Sequence, residues 1–143
     1  MPHKNLIGRP KEISDLENDI IRYEKNINAL EVYNKLLTTK LKEEVKKYKE
    51  WFVSNTKKIG MMPCWGVQVS YRDYKFSKEG VFDWESREKV CATEHIPEYI
   101  TATRTNIESI DIQRDKTIAD IKKNTELKES AEEKLKKLKN AKK

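Results

Sequence analysis

Between Ile13 and Trp51 the side chains that fall at alternating steps of three and four are Ile13, Leu16, Ile20, Tyr23, Ile27, Leu30, Asn34, Leu37, Leu41, Glu44, Tyr48 and Trp51, and ten of these twelve are apolar. A stripe with this spacing stays on one side of an α-helix, whereas a strand would scatter it over both faces. Sustained over more than five heptads, it predicts a helix carrying a coiled-coil seam. The helix is expected over about 11–58, roughly 70 Å at 1.5 Å per residue. Pro10 suits its first turn, and Glu12, Asp15 and Glu17 suit the positive end of the helix dipole. Lys57 and Lys58 followed by Gly60 and Pro63 read as a stop. Asn34, an amide on an apolar seam, is a candidate for setting register or partner number.

A second helix is expected over about 97–140, opened by Pro97. Its seam of Ile100, Ile107, Ile110, Ile118, Ile121, Ala131, Leu135 and Leu138 is weaker, with Arg114 and Thr125 interrupting it. Two amphipathic helices of similar length fold back most simply as an antiparallel pair. Neither seam is wide enough to make the pair self-sufficient, so a homo-oligomeric bundle is also expected.

Between the helices, over about 60–96, the period changes to two. Trp65, Val67, Val69 and Tyr71 alternate with Gly66, Gln68 and Ser70, and a turn or bulge is expected at Arg72 and Asp73. Ser77 to Gly80 read as a turn, "VFDWES" as a second strand and Lys89 to Cys91 as a short third one. The expected fold class is therefore mainly α with a small β insert: two long antiparallel coiled-coil helices joined by a two- to three-stranded antiparallel sheet, in a single elongated domain. So small a sheet needs a cover for one face, which Trp51, Phe52 and Ile59 can supply. A plain helical connection needs only a handful of residues, so an insert this long suggests that the tip has a role beyond connection.

The helix, β-insert, helix order is similar in outline to that of prefoldin-type chaperone subunits, in which a coiled-coil hairpin flanks β-hairpins that drive assembly. A likeness at the level of topology implies a fold and no function.

Composition narrows the function classes. No apolar run approaches the roughly 20 residues of a membrane-spanning helix, and "MPHKNLIGRP" lacks the apolar centre of a secretory signal. No membrane partner and a cytoplasmic address are the expectations, with Cys64 and Cys91 as free thiols. Lys outnumbers Arg 24 to 6 and Ile and Asn are abundant, usage expected of an AT-rich genome such as that of many phages or Firmicutes. The net charge of +6 sits mostly at the end: residues 1–121 hold 21 basic and 20 acidic side chains, and 122–143 hold 9 and 4. The tail 134–143 has six Lys and no acid. Such a tail can meet phosphate or acidic surfaces, or simply complement the helix dipole.

Catalysis finds little material. A zinc site would draw on Cys64, Cys91, His95 and His3, but there is no CxxC and only "CATEH" places a Cys and a His close together. Phosphate-cradling glycine motifs are absent. No cofactor, metal or catalytic residue is expected.

Two binding readings compete. In "KKYKEWFVSNTKK" Lys46, Lys47, Lys49, Lys57 and Lys58 interleave with Tyr48, Trp51 and Phe52. With Arg72 and Lys75 in the insert and Lys136, Lys137 and Lys139 in the tail, they could serve a single-stranded nucleic acid, cations on phosphate and aromatics on bases. Against this, Tyr48 and Trp51 belong to the seam, which already explains them and leaves only the lysines exposed. The more economical reading is a non-enzymatic protein-binding module, an adaptor, assembly factor or small phage-type inhibitor. Its patch would comprise Met61, Met62, Trp65, Tyr71, Tyr74, Phe76, Phe82 and Trp84, residue types favoured at interface centres. The competing view of that patch is a core belonging to the tip itself.

Overall fold

The computed structural model describes residues 2–60, 63–76 and 82–141, with the backbone alone for 2–10 and 82–86. Its elements are α1 (Pro2–Asn55), β1 (Thr56–Lys58), β2 (Val67–Phe76), β3 (Phe82–Ala92) and α2 (Glu98–Ala141). The expected class is the observed one: two long helices and a three-stranded antiparallel sheet in the order β1-β3-β2. The chain divides into two compact units, one of residues 36–115 and one of its two ends, up to Lys35 and from Lys116.

Boundaries differ from the sequence reading in ways with local causes. The helix α1 begins at Pro2, so Pro10 falls inside it and not in its first turn. At its other end α1 stops at Asn55, and Thr56–Lys58 leave the helix to pair with β3. The last turn leaves carbonyls without helical N–H partners. The Asn55 Nδ2 donates to the Trp51 carbonyl at 2.8 Å, and the Thr56 hydroxyl donates to that of Phe52. At the start of α2 the Pro97 carbonyl accepts from the N–H groups of Ile100 and Thr101.

All twelve seam positions of α1 are at least half-buried, and from Leu37 to Trp51 they are fully so. The α2 seam is continuous and not interrupted. Ile100, Thr103, Ile107, Ile110, Arg114, Thr117, Ile121, Asn124, Lys128, Ala131, Leu135 and Leu138 keep the three-and-four alternation and are all buried or half-buried. Arg114 is 1% exposed, and its Nε and Nη1 make no hydrogen bond among the described residues. In the unit of chain ends, Asn26 donates to Asn124 at 3.4 Å and Lys128 meets Glu24 at 3.2 Å. The hydrogen bond it donates to the Glu24 carboxylate holds the Lys128 ammonium above its ordinary pKa.

The core of unit 36–115 gathers where the sheet lies on the helices: Leu41, Tyr48, Tyr74, Ile100 and Ile107 are at most 1% exposed. Tyr48 is its centre, with ring centroids 4.6 Å from Phe52, 4.9 Å from Tyr74 and 5.8 Å from Tyr71. Burying each ring removes apolar area worth about 2 kcal/mol. The bulge expected near Arg72 and Asp73 is present as a register shift between Arg72 and Tyr74. It rotates the strand so that Tyr74 enters the core. The outer edge of β2 is closed by helix side chains: the Arg72 N–H donates to the Tyr48 hydroxyl at 2.8 Å, and the Arg104 guanidinium donates to the Ser70 carbonyl. Both backbone groups would otherwise be unmet at a sheet edge.

Candidate functional site: the Trp65 groove

Beyond β1 the chain must reach β2 on the far side of β3. Two local constraints hold the returning segment. The Cys64 sulfur is bonded to that of Cys91 on β3, with Cα atoms 5.6 Å apart, inside the ordinary range for a disulfide. Gly66 lies so close to β3 that a Cβ there would overlap the Ala92 carbonyl oxygen, a backbone approach that only glycine permits. Trp65 stands between these two fixed points and is 93% exposed.

An indole left in water by a backbone held on both sides is a preorganised contact. Beside it runs a groove of about 600 Å³ whose walls include Thr56, Lys57, Lys58, Pro63 and Thr93. Lys57 and Lys58 are exposed, and no carboxylate lines the groove among the described residues. The arrangement offers an apolar platform next to two cations, which suits a segment carrying a bulky apolar side chain flanked by carboxylates.

The expected aromatic patch divides. Trp65 is exposed and Phe76 is 38% exposed, while Tyr71 is half-buried and Tyr74 is buried at 1%. Burial raises Tyr71 to a pKa of about 12, helped by Asp73, whose carboxylate lies 3.5 Å from its hydroxyl. Burial likewise raises Tyr74 to about 12, with Tyr48 adding to the shift and Arg104 and Arg72 opposing it. Met61, Met62 and the side chains of Phe82 and Trp84 lie outside the described residues.

The basic residues are also dispersed. Lys46 pairs with Glu50, Lys47 with Glu44, Lys49 with Asp73, Arg72 with Glu108, Lys137 with Glu133 and Lys139 with Glu17. Lys75 and Lys136 are exposed. Tyr48, Trp51 and Phe52, which would have to stack on bases, are 0%, 6% and 2% exposed.

The disulfide corrects the expectation of free thiols, and it removes Cys64 and Cys91 as thiolate ligands or nucleophiles. A spacing of 27 residues does not reveal such a bond, and neither does the β2–β3 register, which sets Gln68 opposite Cys91 and continued backwards would set Cys64 opposite His95; the bend at Trp65 and Gly66 carries Cys64 back to Cys91. Pro63, Cys64 and Thr93 line the groove, although the sequence marks Pro63 only as a helix stop, Cys64 only as a thiol and Thr93 not at all. The usable signal was the run Cys64, Trp65, Gly66, a crosslinkable residue and a close-approach glycine around one tryptophan.

No helix among the described residues is long and apolar enough to cross a membrane. The chain matches no protein-family model, no curated protein and no solved structure.

Proposed function

We propose that this chain is a non-enzymatic protein-binding module that captures an extended, acidic segment of a partner protein in the Trp65 groove. The observation that carries the reading is the 93% exposure of Trp65 on a backbone tied down by the Cys64–Cys91 bond and the Gly66 approach. A solitary exposed apolar residue is ordinary; one that is large, immobilised at its backbone and set beside a groove has the features of an interface anchor. Lys57 and Lys58 supply the charge that would select carboxylates.

Self-association belongs to the same reading. In the unit of chain ends the apolar seam residues other than Ala131 are only half-buried, and a second copy would cover them. Sedimentation equilibrium of the purified chain should show a dimer or larger species, and a monomer throughout removes this part. The disulfide bears on where the protein works, since such bonds persist in oxidising surroundings, whereas the expectation of free thiols followed from a cytoplasmic address.

The test is selection from a random peptide library on immobilised protein, followed by calorimetry on the enriched peptides. Enrichment of acidic peptides with one bulky apolar residue is expected, and Trp65→Ala should weaken them about 30-fold or more, as loss of an interface anchor does. A library without consensus, or peptides bound equally well by Trp65→Ala, would remove the groove as the docking site.

A further inference from the structure

A second recess, about 570 Å³, lies along the outer edge of β2, away from Trp65. Arg72, Arg87, Arg104 and His95 line it, with Gln68 beside them and Glu108 the one carboxylate among the described residues. It takes three of the six arginines in a chain with 24 lysines. Arginine differs from lysine in presenting a planar fork of donors that matches the oxygens of phosphate or carboxylate.

The sheet register makes this grouping costly. Arg72 and Arg87 are directly opposite partners on β2 and β3, so their side chains leave the same face with Cβ atoms roughly 5 Å apart, and like charges so placed destabilise a strand pair. The third guanidinium arrives from α2, where Arg104 is held by its hydrogen bond to the Ser70 carbonyl and lies 3.5 Å from the Tyr48 hydroxyl. Glu108 offsets part of the charge through its 3.2 Å contact with Arg72. Arg87 has no ion pair among the described residues and is exposed, as is His95. Counting the three guanidinium groups against Glu108 leaves a net of +2 before His95 is considered. An anion of two charges placed here would neutralise the arrangement that the register otherwise penalises.

We propose that this recess binds the dianionic phosphoryl group of a small phosphate monoester. Arg87 and Arg104 would contact the phosphoryl oxygens through guanidinium N–H donors. Arg72 is shared with Glu108, which acts as a competing internal carboxylate and keeps affinity low. The apolar wall of Val67, Val69 and Ile96 gives the organic part of the ester a surface to lie on.

The experiment is an NMR titration of the intact protein at fixed ionic strength with inorganic phosphate, phenyl phosphate, sodium chloride and a short oligothymidylate. Saturable shifts of the Gln68, Ser70, Arg72 and Arg87 amides with phosphate and phenyl phosphate are expected, the ester binding more tightly. Arg87→Gln, an exposed position, should weaken both ligands about tenfold or more. Glu108→Gln should tighten both several-fold by removing the competing negative charge, a gain that a merely structural carboxylate would not produce. Unfolding curves of both variants show whether they keep the fold. If either variant unfolds, Lys89→Glu replaces it: this position opposite Ser70 should weaken phosphate by added negative charge. Absence of saturation, equal response to chloride, or unchanged affinity in a folded variant overturns the proposal. Displacement of phenyl phosphate by oligothymidylate at lower concentration overturns it in favour of a nucleic-acid backbone.

Discussion

Replacing both cysteines, Cys64→Ser with Cys91→Ser, tests the tip most directly. The bond closes a loop of sequence separation 27. With a chain-entropy loss of 2.1 plus 1.5R ln n cal/mol/K, a loop of that size confines the unfolded chain by about 3.5 kcal/mol at 25 °C. For a protein of 143 residues, at about 2.1 cal/mol/K per residue, this amounts to a drop in Tm of about 10 °C. The assay is thermal and urea unfolding followed by circular dichroism, comparing the double variant with the parent and with the parent under reductant. Because the bond lies within the unit of residues 36–115, the loss should appear in the transition reported by the sheet and its aromatic core. The variant should also bind groove ligands more weakly, since Trp65 would be held only by the Gly66 approach. A double variant within about 1 kcal/mol of the parent, with an unchanged denaturant slope, would refute the view that this bond constrains the segment before β2.

Two further outcomes follow from buried polar groups. Arg114→Met should raise stability by about 1 to 2 kcal/mol in urea unfolding, because Nε and Nη1 lack hydrogen bonds in a site 1% exposed and unmet buried donors carry that order of cost; destabilisation would show that the guanidinium is held by interactions worth more than its desolvation. Alkaline unfolding should report Tyr71 and Tyr74, whose folded-state pKa values of about 12 exceed the ordinary 10.0. A raised pKa stabilises the fold fully below pH 10 and ceases to do so as pH passes 12, so the unfolding free energy should be flat up to about pH 10 and fall between 10 and 12, by on the order of 2 kcal/mol for the more buried Tyr74, with Tm falling alongside. Tyrosinate absorbance rising for all tyrosines near pH 10 without unfolding would contradict it.

Much of the fold was legible because it is written in local period. The α1 seam from Ile13 to Trp51 was read position by position, and every member is buried or half-buried. The shift from a period of 3.6 to two located the sheet, and Arg72 with Asp73 located the bulge. The α2 seam was only partly legible. Thr103, Arg114, Thr117, Asn124 and Lys128 occupy seam positions, yet a polar residue looks like a gap until its neighbour across the seam is known. Glu24 opposite Lys128 and Asn26 opposite Asn124 are such neighbours. The edge strand β1 was read as a helix stop because Lys57 and Lys58 carry no strand signal; their pairing with Cys91 and Val90 makes them a strand.

The sequence by itself determined which faces of each element are apolar, because side-chain spacing and backbone period are properties of a few neighbouring residues. Tertiary structure decided everything about the tip's chemistry. The β2–β3 register sets Arg72 opposite Arg87, and the bend before β2 brings Cys64 to Cys91. The packing of that sheet on the helices buries Tyr74 and leaves Trp65 in water. Composition treats those two aromatic residues alike, since burial depends on which surface arrives from a distant part of the chain, and no local pattern encodes that arrival.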